Sequence, residues 1–436
     1  GGSAAGAGGS TRAARVGGAL VTVEVMGTVA LLVIACALAV SFANLRGANV
    51  GFDREGVLTA SVNPSRARYP DAAARRRFFR DVMARLEANA EVEAAGAALL
   101  RPLEGAIGWD LPYALPGQSP EDAAGNSILN LEVVTPAWFD AIGTPLLVGR
   151  AFAETDGLPV AGAGPDPAAQ PTDESAARPG PPAAVESTVE PRPLVAIVSE
   201  STAREMYGSP LEAVGRHFVG GRNAPRSYRI VGVVADGRYR RVHEVSRDVF
   251  LPDTQTTIPL RYVVVRTSAG PAAARGMLRR ALAETDPEQP MSADLTTTEL
   301  VERALSRERF QTALLLPFGL GSALLAAIGV FGMVSDAANR RRRELALRQA
   351  LGATRIQVVS WLLRSTLACV LAGLGAGVLV AVTAGRMLNL TLFETAVANP
   401  WIIVTVCCLI LGVSLVACAG PAARVARLDI GGELRQ

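Results

Sequence analysis

The chain has 436 residues, half of them hydrophobic and 5% aromatic, with 43 basic against 40 acidic side chains and a net charge of +3. That balance excludes bulk attraction to nucleic acid, and the length allows two or three domains. Every basic residue is arginine; a Walker-type phosphate loop needs Gly-Lys-Ser/Thr, so this chain cannot supply one and is no P-loop ATPase by itself.

The first ten residues, GGSAAGAGGS, read as a flexible segment without an initiator Met. The expectation is a linker, with the chain a fragment or one half of a longer polypeptide. Arg12 and Arg15 then precede an apolar run over 16–42, enough for one crossing at ~20 residues per span. Glu24 falls near its start. Snorkelling or pairing with a neighbouring helix accounts for it better than a role at mid-membrane.

Residues 43–309 read as water-soluble. Val57–Val62 is a predicted strand. Asp71–Asn89 is an arginine-rich amphipathic helix with Phe78, Val82, Met83 and Leu86 on one side. A strand follows at Ile128–Val134, and Pro136-Ala-Trp-Phe starts a short helix. Residues 153–193, rich in Pro, Ala and Gly, are expected to be a disordered insertion. Regular structure resumes with strand Leu194–Val198 and a helix at Thr202–Tyr207. Strands near 228–234, 248–251 and 261–267 precede a helix at Pro271–Glu284. The interleaving predicts an α+β or α/β region in two lobes. No single large apolar or aromatic cluster marks a pocket in it.

Three more apolar runs cover 310–338, 358–384 and 401–421. The third of the four runs contains Gly373-x-x-x-Gly377, a spacing that lets helices approach closely. Arg364 lies about two turns inside it and is expected to snorkel. Between the second and third runs stands RRRRELALRQALGATRIQ, Arg340–Gln357. Leu347, Ala350, Leu351, Thr354 and Val358 form one stripe at helical spacing. Glu344 and Arg348 are an i,i+4 acid–base pair. Gly352 offers a helix stop, and Thr354-x-x-Gln357 a capping box that starts the next helix. The stretch reads as a short amphipathic helix at a membrane surface, set against a plain linker or a helix lying in the headgroup layer.

The five cysteines, Cys36, Cys369, Cys407, Cys408 and Cys418, all lie in apolar runs and read as packing residues. His217 and His243 sit in unrelated contexts without metal-ligand spacing. Asp110 and Asp236 are expected in turn or surface roles. The residues therefore predict no catalytic, metal-binding or cofactor-binding site. Arginine placement sets orientation. The arginine-dense segments 12–15, 340–355 and 424–435 fall on one side with four crossings. Both termini are then expected to be cytoplasmic, with 43–309 and the short 385–400 loop outside. The predicted fold is a membrane α-helical protein with four transmembrane helices, 1+3, and a large extracytoplasmic α+β domain between the first and second.

That layout resembles the MacB/FtsX-type ABC permease family. Arg343-Glu-Leu-Ala-Leu-Arg348-Gln-Ala-Leu-Gly352-Ala-Thr is similar to its signature between spans. Gly420-Pro-Ala-Ala-Arg424-Val-Ala-Arg427-Leu-Asp429 is similar to its C-terminal segment. Gly51-Phe52-Asp53, Arg68-Tyr69-Pro70, Pro145-Leu-Leu-x-Gly149-Arg150-x-Phe152 and Ile230-Val-Gly-Val-Val-x-Asp236 resemble landmarks of its periplasmic domain. The duplicated "orphan" permeases are the nearest variety. Departures are Glu24, Ala423, Ile430 and the long 153–193 insertion.

The resemblance implies a non-catalytic inner-membrane permease that works by mechanotransmission for efflux or export. A separate ABC ATPase subunit would bind the ATP. Arg343, Glu344, Leu347, Arg348, Leu351 and Gly352 would be its coupling residues, and Gly373 and Gly377 would serve helix packing. A second permease unit, membrane lipid and a periplasmic adaptor are the other expected partners. Two alternatives stay open: a regulatory scaffold of FtsX type acting on a periplasmic partner, and a membrane-anchored binding module.

Overall fold

The computed structural model describes residues 5–104, 109–156, 194–222, 225–340, 354–387 and 397–426. The 153–193 insertion lies outside them from residue 157 onward. The chain divides into two compact units, Gly1–Gly47 with Ser306–Gln436, and Ala48–Leu305.

The first unit holds four long helices: α1 (Ala5–Gly47), α9 (Ser306–Arg340), α10 (Arg355–Met387) and α11 (Pro400–Ala426). Each is long and apolar enough to cross a membrane. Half of the most apolar window of α1 is buried, against 22–28% in the other three. So α1 is the helix the others pack around. Val21, Val25, Val29, Leu32 and Val33 of α1 join Ala326, Val330 and Val334 of α9, Val370 and Leu374 of α10, and Val406 and Ile410 of α11 in one core. Leu324, Leu325, Ile328, Leu379 and Val416 point outward. Apolar residues on both the packed and the open sides are what a helix in lipid requires.

The second unit is built on one mixed sheet. Its strands are β1 (Val57–Ser61), β2 (Ala94–Ala98), β3 (Trp109–Leu111), β4 (Tyr113–Ala114), β5 (Leu129–Val134) and β6 (Leu146–Gly149). They continue with β7 (Leu194–Ser199), β8 (His217–Gly220), β9 (Arg226–Val234), β10 (Asp248–Pro252), β11 (Tyr262–Arg266) and β12 (Ser292–Thr296). The order is β12-β1-β11-β2-β5-β10-β7-β9-β8-β4, with β3 on β5 and β6 on β9. Two pairs are parallel, β5 with β10 and β7 with β9. The two expected lobes are therefore one hydrogen-bonded sheet. The antiparallel β10–β7 pair, Val249 opposite Val198, joins the strands on the β5 side to those on the β9 side.

The helices form where their apolar faces meet this sheet. Asp71 caps α2 (Ala72–Glu87) by accepting from the Ala74 N–H at 2.6 Å. One face of α2 buries Phe78, Phe79, Val82, Met83 and Leu86. α7 (Pro271–Thr285) starts on a proline and buries Met277, Leu278 and Leu282 against the same core. Short helices α3 (Pro120–Ala123), α4 (Trp138–Ile142), α5 (Glu200–Tyr207), α6 (Pro210–Ala213) and α8 (Thr297–Ala304) fill the connections. A complete capping box, Thr296 with Glu299, opens α8.

Strand β5 is buried along its whole length, yet carries Asn130 and Glu132. Glu132 accepts from the Leu100 and Val133 N–H groups at 2.8 and 3.2 Å. Asp248 on neighbouring β10 accepts from Asn130 Nδ2 at 2.7 Å, while its Oδ2 has no partner. Burial pushes the Asp248 carboxyl up to about 7; the Asn130 hydrogen bond and Arg240 oppose the rise and Asp236 adds to it. Burial also raises Glu132. A raised carboxyl favours the folded state while protonated, and that contribution is lost as pH climbs from the ordinary carboxylate range near ~4 through the folded value. The melting temperature of the full chain should therefore fall between pH 5 and pH 8. Asp248→Asn should flatten that slope by an amount on the order of 4 kcal/mol at most. Asp81→Asn, on the exposed face of α2, should leave it unchanged. Thermal melts across that pH range read the difference.

Candidate coupling site

Arg343, Glu344, Leu347, Arg348, Leu351 and Gly352 lie outside the described residues, so the structure speaks only to the two helix ends that flank them. On one side α9 closes with Arg340 pairing Asp336 one turn back at 2.8 Å. The cation at that C-terminus opposes the helix dipole. On the other side α10 opens with a reciprocal cap. Thr354 N–H donates to Gln357 Oε1 at 3.0 Å, and Gln357 N–H donates to Thr354 Oγ1 at 3.4 Å. This is the box read from Thr354-x-x-Gln357.

From that cap, α10 runs along α1 with its glycines against the backbone of α1. A Cβ on Gly373 would lie 2.8 Å from Val25 Cβ and 2.9 Å from the Thr22 carbonyl oxygen. On Gly377 it would lie 2.7 Å from both the Met26 carbonyl oxygen and Val29 Cβ. Neither space admits a methyl group. Polar links join α1 to both of its neighbours. Thr22 Oγ1 donates to the Gly18 carbonyl at 2.9 Å and approaches that of Cys369 at 3.3 Å. Thr28 Oγ1 donates to the Ser322 carbonyl of α9 at 3.2 Å. In a lipid environment such hydrogen bonds add to close backbone packing.

Glu24, for which snorkelling or pairing with a neighbouring helix is the expectation, turns toward α9. Its carboxylate fills the place a Cβ of Gly329 would take. A Cβ on Gly319 of the same helix would lie 2.7 Å from Leu32 Cδ2. The close approach at Gly319 has no spacing motif in the sequence. Arg364 is exposed on α10. All five cysteines are unpaired.

In the second unit, segments far apart in sequence meet. Gly51 has φ +81°, and its Cα abuts the backbone of Asp236 and Gly237. The Ala235 N–H donates to the Pro145 carbonyl at 2.9 Å, and the Arg150 N–H to that of Val231 at 3.0 Å. Gly149 (φ +86°) packs on Val231 and Gly232, and Phe152 on Phe139. Asp53 pairs with Arg266 at 2.7 Å beside Gly143. The landmarks 51–53, 145–152 and 230–236 are thus one connected patch. It lines a cavity of about 600 Å³ with Phe139, Thr144 and Arg266. Arg68 stands apart, paired with Asp286.

Asp236 accepts from the Ser201 N–H and Oγ at 2.7 and 2.6 Å. Asp110 pairs with Arg240 at 2.6 Å. His217 is in β8 and His243 in the loop before β10. Among the described residues, no three His, Cys, Asp or Glu side chains converge on a metal-sized site.

Gly377→Leu should force α1 from α10 and lower the melting temperature, by roughly the 1–3 kcal/mol of an overpacked core. Gly375→Leu, whose Cβ would meet nothing within 4 Å, should not. Equal melting temperatures for the two variants in detergent would contradict this packing.

Residues 317–430, which contain most of α9, all of α10 and α11, and the stretch between α9 and α10, match the family described as FtsX-like permease C-terminal. No curated protein matches the chain. Among solved structures, it is similar to the periplasmic region of MacB from Actinobacillus actinomycetemcomitans, at 13% identity and TM-score 0.33, over 59% of this chain and 94% of that one. It is also similar to the extracellular domain of the noncanonic ABC-type transporter YknZ from Gram-positive bacteria, at 13% identity and TM-score 0.29, over 53% and 95%. A permease domain from Porphyromonas gingivalis gives 14% identity and TM-score 0.29, over 56% and 92%. The segment that carries most of α9 and all of α10 and α11 is thus the part of the chain that matches FtsX-like permeases.

Proposed function

We propose that this chain is the permease subunit of an ABC-type transporter that works by mechanotransmission. A separate ATPase closes on ATP, pushes the stretch between α9 and α10, and the motion passes through the helices to the Ala48–Leu305 unit for efflux or export. The observation that carries this reading is the permease match over 317–430, because it spans that stretch and both helix ends bounding it. Glu344 and Arg348 brace the lever, Leu347 and Leu351 dock in a groove of the ATPase, Arg343 adds a rim charge, and Gly352 ends the helix. Gly373 and Gly377 keep α10 locked to α1, so a push at Thr354 moves both helices together.

In this reading the protein lies in the bacterial inner membrane with both termini cytoplasmic. The arginine-dense segments 12–15, 340–355 and 424–435 support that sidedness. The large unit is then periplasmic, a second permease unit completes the assembly, and a periplasmic adaptor extends it. This chain binds no cofactor; the ATP belongs to the partner.

Leu347→Asp should abolish co-purification of an ATPase and stop transport, while the protein still inserts and melts normally. Unchanged ATPase recovery would sink the docking idea. Recovery of a cell-wall hydrolase in place of an adaptor would move the function to FtsX-type regulation. A reporter fused at residue 200 should score as periplasmic, and a cytoplasmic signal would reverse the assigned topology.

A further inference from the structure

A second cavity, of about 320 Å³, opens in the Ala48–Leu305 unit, away from the landmark patch. That volume falls at the small end of ligand sites. One wall is a single stripe of α2, with Arg76, Arg80, Met83 and Glu87 at i, i+4, i+7 and i+11. Glu154 and Asp253 come from the loop after β6 and the turn after β10. Ala95 and Pro136 complete a short apolar strip beside Met83.

The charges here are not used up by the fold. Arg76 donates to the Thr256 carbonyl at 3.1 Å and stands near Asp253. Arg80, Glu87 and Glu154 are exposed and make no hydrogen bond or ion pair among the described residues. A purely anionic ligand would meet Glu154 and Asp253, and a purely cationic one would meet Arg80. A ligand carrying both charges satisfies both.

We propose that this cavity binds a small zwitterion, a free amino acid or dipeptide. Its carboxylate sits on Arg80, its ammonium on Asp253 and Glu154, and its apolar side chain on Met83. Arg80 lies one helical turn, ~6 Å, beyond Arg76 on the same stripe, so its guanidinium is set apart along the helix from the one that stands near Asp253. Burial also lifts the Asp253 carboxyl to about 6, with Arg76 opposing the rise and Glu154 adding to it. A carboxyl so placed has an ammonium as its natural counter-ion. The site does not depend on whether an ATPase drives the chain.

The test is calorimetry on the full chain in detergent with leucine, glycyl-leucine, N-acetyl-glycyl-leucine and glycyl-leucinamide. Leucine or glycyl-leucine should bind, and each blocked dipeptide should bind at least about tenfold more weakly. Arg80→Ala should erase the preference for the free acid over the amide. Asp253→Asn should erase most of the preference for the free amine over the acetylated form. Affinity for the zwitterion should drop as pH falls through about 6 and Asp253 takes a proton; Arg76, Arg80, Glu87 and Glu154 face the same cavity. Arg77→Ala, exposed on α2 outside the cavity, is the control. Failure of both zwitterions to bind, equal affinity for the blocked forms, or a preference for the free acid that survives Arg80→Ala would each overturn the assignment.

Discussion

The constraint on which the rest of the membrane unit depends is the backbone contact between α1 and α10. Gly373 and Gly377 let the backbone of α10 approach the Thr22 and Met26 carbonyl oxygens and the Val25 and Val29 side chains of α1. Lipid tails offer no hydrophobic drive to bring helices together, so dispersion at short range and hydrogen bonds must do so. Thr22 and Thr28 of α1 supply the hydrogen bonds, one toward α10 and one toward α9. With α1 held on both sides, α11 closes the bundle through Val406 and Ile410. A bundle tied together through α1 has packed interfaces on both sides of that helix, and such interfaces resist graded deformation.

The sheet unit follows the same logic with different chemistry. Its closing contacts join chain segments separated by most of its length. Strand β1 pairs with β11 and β12, and Gly51 rests on the backbone at Asp236. Left-handed backbone at Gly51, Gly143 and Gly149 makes these approaches possible. One set of polar groups crosses the core as a chain. Asp248, Asn130, Arg240 and Asp110 run in sequence from the buried sheet to its surface.

Much of this was legible in the residues. Continuous apolar runs announced the long helices, and the 3.6-residue period of Phe78, Val82, Met83 and Leu86 announced α2. The cap at Thr354 and the strands rich in Val and Ile were also readable. Strand β2 was not, because Ala-Ala-Gly-Ala-Ala has no strand propensity of its own. It is a strand because Gly96 admits the backbone of Trp138, with a Cβ there 2.8 Å from Trp138 Cα. The single sheet escaped for a related reason: pairing across the β10–β7 seam is a tertiary choice that no local pattern records. The charged cavity escaped because its stripe on α2 reads as a solvated face until Glu154 and Asp253 are brought opposite. The spacing of Gly373 and Gly377 was visible, but that α1 is the helix they meet was not.

The position of α1 in the chain has a consequence for how the protein is made. Its partners α9 and α10 are separated from it by the whole of Ala48–Leu305. At ribosomal speed that interval lasts on the order of tens of seconds. Throughout it, α1 stands in the bilayer with Thr22, Glu24 and Thr28 facing groups not yet synthesised. Thr22 keeps its bond to the Gly18 carbonyl within α1, but a nascent helix carrying a carboxylate without its partner helix is a substrate for whatever holds or removes unassembled membrane segments. Biogenesis of this fold is therefore a race between translation of the sheet unit and quality control of its first helix.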